Sequence, residues 1–138
     1  MERREDDTPR AAVEMHVIAT TDEGTLSALA EAKRRVDGVD PARIVLLVPQ
    51  PVSYAAPPDP ETAAAISEQY RSLAASAGVD AIVRVCFCRR REDVFHWMLG
   101  KRALVLMGGR QRWWWPTRAE RIAERLKRQG HTVVFASV

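Results

Sequence analysis

The stretch RIVLLV, Arg43–Val48, decides the fold class of this chain. After the arginine it is an unbroken run of aliphatic residues, which is typical of a parallel strand whose two faces are both covered by helices. Other apolar runs lie before and after it, and helical patterns of apolar residues separate them. This alternation predicts βαβ units and therefore an α/β domain built around one parallel sheet.

Five strands and four helices are predicted from these patterns. The second helix begins with Asp59 as its N-cap and Pro60 at its first position. The last helix begins at Thr117, where a glutamate three residues later, Glu120, predicts a capping box. The segment Pro49–Pro60 contains five prolines, so it is predicted to be a loop. The strands are expected at 14–20, 43–48, from 79 or 81 to 88, 103–107 and 131–138, and a short helix at 92–99.

Length, composition and charge restrict the class of protein. The 138 residues, 46% of them hydrophobic, fit a charged flexible tail at 1–12 and one domain at 13–138. The 21 basic residues are largely matched by 18 acidic ones, and no motif that reads nucleic acid accompanies them. No apolar run approaches the roughly 20 residues of a membrane-spanning helix, and the charged start contains no export signal. We therefore expect a cytoplasmic protein that binds neither nucleic acid nor membrane.

The sequence contains no residues at the spacing of a metal or catalytic site. Cys86 and Cys88 fall on one face of a predicted strand and are interpreted as buried, reduced thiols. Nothing in the pattern brings His16, His96 and His131 together with carboxylates, so they are interpreted as structural. No serine has the context of a nucleophile elbow. We therefore expect no metal and no enzyme activity, with a weak ATPase as the one activity left open.

Two segments carry a resemblance to a known family. Arg102–Arg110, RALVLMGGR, is similar to the fourth strand and the start of the nucleotide loop of universal stress proteins. Thr117–Ser137 resembles their capped last helix and terminal strand, and the order of elements over 14–138 is similar throughout. The resemblance implies a three-layer α/β/α sandwich with a Rossmann-like, five-stranded parallel sheet of order 3-2-1-4-5. Such a sheet has a ligand crevice outside the carboxyl ends of strands one and four.

The same resemblance implies a candidate ligand site. In ATP-binding members an acidic residue follows strand one, and a glycine-rich loop after strand four holds the phosphates, because glycine lets backbone amides approach an anion. Gly108, Gly109 and Thr117 match that loop and the helix that follows it. Thr20 stands at the acidic position, with Asp22 two residues later. The candidate cofactor-binding residues are Thr20, Thr21, Asp22, Val48, Pro49, Met107, Gly108, Gly109, Arg110 and Thr117.

Three tryptophans, Trp113–Trp115, stand where the family has small residues. Two functions are possible, depending on the role of these indoles. The sequence favours indoles that plug the crevice, which makes the chain a non-catalytic, stress-response-type regulatory or interaction domain with a degenerate nucleotide site. The alternative is indoles that stack on a base or move aside. The chain then binds ATP or another adenine nucleotide, for nucleotide-gated signalling or slow ATP hydrolysis. In that case Arg110, Arg112 and Arg118 would neutralise phosphates; otherwise they are solvated cations.

Asp22 also has two interpretations. Its position just before the first predicted helix favours an N-cap, and the alternative is a contact with a ribose hydroxyl or, through water, with a metal ion.

The last predicted strand, His131–Val138, is an edge of the sheet in the order 3-2-1-4-5. It is apolar and contains no proline or lysine, and an unprotected edge of this kind favours pairing with another chain. The resemblance implies a homodimer in which two copies of this strand pair antiparallel. A different protein partner or a covering loop is the alternative.

Overall fold

The computed structural model describes residues 13–37, 42–52, 59–90, 98–99, 103–110 and 117–138. The predictions for the tail at 1–12, for most of the helix at 92–99 and for Trp113–Trp115 fall outside these residues. Along the described part of the chain the elements are β1 (Val13–Ile18), α1 (Asp22–Val36), β2 (Ala42–Pro51), α2 (Pro60–Ser76), β3 (Ala81–Cys88), β4 (Leu104–Gly109), α3 (Arg118–Arg128) and β5 (Thr132–Ser137).

The five strands form one parallel sheet in the order β3-β2-β1-β4-β5, as predicted. β1 lies at its centre, where Val17 is in register with Leu46 of β2 and with Leu106 of β4. These three side chains belong to a buried cluster that α1 and α2 cover. Ile18 and Met107 belong to a second cluster, which α3 covers. The three layers confirm the predicted α/β/α sandwich.

Local capping signals start two helices where the sequence predicts them. The Asp59 carboxylate accepts a hydrogen bond from the Thr62 backbone N–H at 2.7 Å, and Pro60 is the first residue of α2. Thr117 and Glu120 form the predicted capping box at the start of α3. None of the helices in the described ranges is long and apolar enough to cross a bilayer.

β2 is longer than predicted, because it continues through Pro49 and Pro51 instead of ending at a loop. Both prolines are paired with β3. The Leu47 carbonyl accepts a hydrogen bond from the Ala19 N–H, so the odd-numbered residues of β2 turn their backbone groups towards β1. The prolines therefore lack an N–H on the side of β1, which ends at Ile18 and offers no partner there. Proline is tolerated where a strand has no neighbour on that side.

The core contains two buried histidines and two half-buried cysteines. The His131 Nδ1 accepts a hydrogen bond from the Ala103 N–H at 3.1 Å. Burial lowers the pKa of the His16 imidazole, so this ring is neutral at neutral pH. Cys86 and Cys88 share one face of β3 and pack against the second cluster, and burial raises the pKa of the Cys86 thiol. The described residues contain no group of three or more His, Cys, Asp or Glu side chains placed to hold a metal ion.

Candidate functional site

A contact between two glycines brings α1 against the end of β4. A Cβ atom on Gly24 would lie 2.4 Å from the Gly108 carbonyl oxygen, and one on Gly108 would lie 2.1 Å from the Gly24 carbonyl oxygen. The two backbones therefore touch at a distance that only glycine allows at both positions. Gly24 was not among the predicted site residues. The one available signal was a glycine in the first turn of a helix, where it disfavours the helix by itself.

Thr20 holds the ends of β1 and β4 together. Its hydroxyl donates a hydrogen bond to the Gly108 carbonyl oxygen at 2.7 Å. Its backbone N–H donates to the hydroxyl oxygen of Thr25 at 3.0 Å, and Thr25 is fully buried in α1. Thr20, which stands where the family has an acidic residue, thus donates its hydroxyl proton to a backbone carbonyl. It shapes the strand ends from which the site is built.

A cleft of about 670 Å³ opens beside this junction. Its volume falls within the range of roughly 300–1,000 Å³ that is typical of small-molecule sites. It lies where the order of strands reverses, outside the carboxyl ends of β1 and β4, as predicted for an open parallel sheet. The described residues that line it are Ile18, Ala19, Thr20, Thr21, Asp22, Glu23, Pro49, Gly108, Gly109, Arg110, Thr117, Arg118, Ala119, Ile122 and Val138.

The structure brings eight of the ten candidate residues to this cleft and leaves two away from it. Val48 and Met107, 1% and 0% exposed, are in the core instead. Val48 belongs to the cluster beneath α1 and α2, and Met107 to the cluster beneath α3. Both lie inside strands, where side chains point to the faces of the sheet and not out of its end. Glu23 and Arg118, which were not among the ten, line the cleft as well.

The cap of α1 differs from the prediction by one residue. The Thr21 hydroxyl accepts the hydrogen bond from the Gly24 N–H at 3.0 Å, which makes Thr21 the N-cap. Asp22 is the first residue of the helix and is exposed, so its carboxylate is not used as the cap. Threonine and aspartate are both good N-caps. The N-cap is the residue whose side chain accepts a hydrogen bond from the backbone N–H two or three residues further along the chain.

Charges of opposite sign lie on different elements around the cleft. Asp22 and Glu23 are in the first turn of α1, where the helix dipole favours carboxylates. Arg110 follows β4 and Arg118 begins α3, and both are exposed. Among the described lining residues, two carboxylates therefore accompany two guanidinium groups. A ligand with hydroxyl groups at one end and an anionic group at the other matches this arrangement.

Comparison with solved structures identifies the fold. The chain is similar to a universal stress protein whose crystal structure was determined in complex with cAMP, with a TM-score of 0.53 and 17% sequence identity. The similarity covers 92% of this chain and 100% of the other. No protein-family model matches the chain, and no curated protein sequence matches it. This chain therefore has the α/β/α fold of the universal stress proteins.

Proposed function

We propose that this chain is a nucleotide-binding regulatory domain of the universal stress protein type and has no catalytic activity of its own. One observation carries the proposal: an open cleft lies at the point where the strand order reverses, with carboxylates on α1 and guanidinium groups after β4 and on α3. The sequence favoured a crevice plugged by Trp113–Trp115, which lie outside the described residues. The cleft bounded by the described residues has the volume of a small-molecule site, which is compatible with the alternative that a nucleotide enters.

The lining suggests how a nucleotide would lie in the cleft. The phosphate would bind near the backbone of Gly109, where Arg110 and Arg118 supply the opposing charge. The ribose hydroxyls would face the carboxylates of Asp22 and Glu23. The base would lie on the apolar part of the lining, which consists of Ile18, Ala19, Pro49, Ala119 and Ile122.

Two further observations support this function. The structurally similar universal stress protein was crystallised with cAMP, an adenine nucleotide that has one phosphate. The described lining also contains no histidine, cysteine or lysine; the groups in it that could act as a general base are the carboxylates of Asp22 and Glu23, to which we assign a binding role. A domain that binds a nucleotide without converting it can respond to the concentration of that nucleotide. The fold suggests that the response is to stress.

Removing either arginine is expected to weaken nucleotide binding. Because a charge-assisted hydrogen bond contributes roughly 1.5–3 kcal/mol, Arg110→Ala and Arg118→Ala should each raise the dissociation constant of AMP about tenfold. Equilibrium dialysis with labelled AMP measures this directly. Arg128→Ala is the matched control, since Arg128 is exposed at the other end of α3 and does not line the cleft. Wild-type protein without saturable binding, or equal losses in all three variants, would refute the proposed site.

We also propose that the chain forms a homodimer through β5. This strand is an edge of the sheet and, among the described strands, pairs only with β4. The N–H groups of Thr132 and Val138 donate to the carbonyls of Ala103, just before β4, and Gly109, so those of Val133 and Phe135 point to the open edge. A second copy of β5 could use these outward groups in an antiparallel pair.

A proline at position 133 should separate the two copies. Val133→Pro removes an outward N–H while the inward hydrogen bonds to β4 remain, so we expect the mass measured by light scattering to fall from dimer to monomer. Val133→Ala is the control, because it shortens the same side chain and keeps the N–H. A dimer that survives Val133→Pro, or a wild-type monomer, would show that β5 is not the interface.

A further inference from the structure

The Glu120 side chain places a carboxylate at the start of α3. The Glu120 Oε1 accepts a hydrogen bond from the Thr117 backbone N–H at 3.1 Å and another from the Thr117 hydroxyl at 3.1 Å. The same hydroxyl oxygen accepts from the Glu120 N–H at 3.3 Å. Both donors of Thr117 are therefore engaged by a carboxylate from the same helix. Thr117 lines the cleft, whereas Glu120 is not among its described lining residues.

A phosphate at the start of α3 would compete for these two donors. A helix start binds phosphate because its N–H groups and its dipole favour a negative charge there. Here the Glu120 carboxylate supplies that negative charge in advance. A phosphate at Thr117 would have to displace the carboxylate from two hydrogen bonds or lie beside it, and both options disfavour binding.

α1, the other helix that begins at the cleft, also has carboxylates at its start. α1 has Asp22 and Glu23 in its first turn, and Thr21 accepts the hydrogen bond from the Gly24 N–H. The positive end of its dipole therefore already faces carboxylates. Within the described lining, Arg110 and Arg118 are the cations and are balanced by these two carboxylates.

We propose that Glu120 makes the cleft selective for nucleotides that carry a single phosphate, in open or cyclic form, over nucleoside triphosphates. This inference rests on the proposed function, since it concerns the same cleft. Glu120 is a specificity-determining residue that acts through Thr117. The Arg110 and Arg118 side chains hold the first phosphate, and the Glu120 carboxylate in the first turn of α3 repels the second and third phosphates of ATP.

The experiment compares AMP and ATP on wild-type protein, Glu120→Gln and Glu124→Gln, by calorimetry without divalent cations. Glutamine preserves the capping box and removes only the charge. Glu124 is the matched control, because it is exposed one turn further along α3 and does not line the cleft. Circular dichroism melting of both variants shows whether the helix cap survives.

Wild-type protein should bind AMP about tenfold more tightly than ATP, and Glu120→Gln should tighten ATP about fivefold while AMP changes little. Glu124→Gln should resemble wild type for both nucleotides. If wild type binds ATP as tightly as AMP, or Glu120→Gln leaves the ratio of the two affinities unchanged, the selectivity inference is wrong while the nucleotide site stands. If neither nucleotide binds any of the proteins, the proposed function and this inference both fail.

Discussion

Gly108→Ala is expected to lower the free energy of unfolding by about 3 kcal/mol and to reduce nucleotide binding with it. The new methyl group would lie 2.1 Å from the Gly24 carbonyl oxygen, which is backbone and cannot rotate away. α1 would have to move off the end of β4, and the hydrogen bond from Thr20 to the Gly108 carbonyl would be strained. Denaturant unfolding followed by circular dichroism measures the loss.

Gly109→Ala is the matched control on the same strand. Its methyl group would lie 3.0 Å from the Ala119 Cβ and 3.3 Å from the Phe135 Cζ, so a small movement of the first turn of α3 and of the Phe135 ring would accommodate it. We expect a loss of about 1 kcal/mol for this variant. Equal losses for Gly108→Ala and Gly109→Ala would contradict the close contact between α1 and β4.

Leu46→Ala should be the most destabilising of the aliphatic truncations, with a loss of about 3–4 kcal/mol in the free energy of unfolding. Leu46 is 0% exposed on β2, and it lies in register with Val17 of β1 and Val83 of β3. Strands on both sides and helices above limit how far the surroundings can close on the cavity, so most of the lost packing is not recovered.

Ile82→Ala on the neighbouring strand tests the same account at an exposed position. Ile82 is 43% exposed on β3, an edge strand, so we expect a loss below about 1 kcal/mol. The two variants are compared by the urea concentration at the midpoint of unfolding, provided that their m-values are equal. Similar midpoints for Leu46→Ala and Ile82→Ala would mean that β2 is not buried in the centre of the sheet.

The features that the sequence predicted correctly depend on neighbouring residues. The caps of α2 and α3 are examples, because Asp59 and Thr117 each bond an N–H three residues along the chain. The aliphatic run of β2 likewise identified a strand buried on both faces without further information. The sheet order came from the resemblance and was confirmed by the structure.

The features that the sequence did not predict depend on contacts between distant segments. The extension of β2 through Pro49 and Pro51 depends on where β1 ends, which nothing near the prolines reveals. The fit of Gly24 against Gly108 joins positions that lie far apart in the chain. Val48 was placed in the site because β2 was predicted to end there, whereas the strand continues for three more residues, to Pro51, and the Val48 side chain lies on a face of the sheet.

The central claim is that the cleft between β1 and β4 binds nucleotide, and amide NMR during an AMP titration tests it most directly. We expect saturable shifts at Thr21, Gly108, Gly109 and Thr117, whose backbones surround the cleft, and small changes on α2 and β3 at the far side of the sheet. Shifts confined to other surfaces, or a spectrum that AMP leaves unchanged, would contradict a nucleotide site in this cleft.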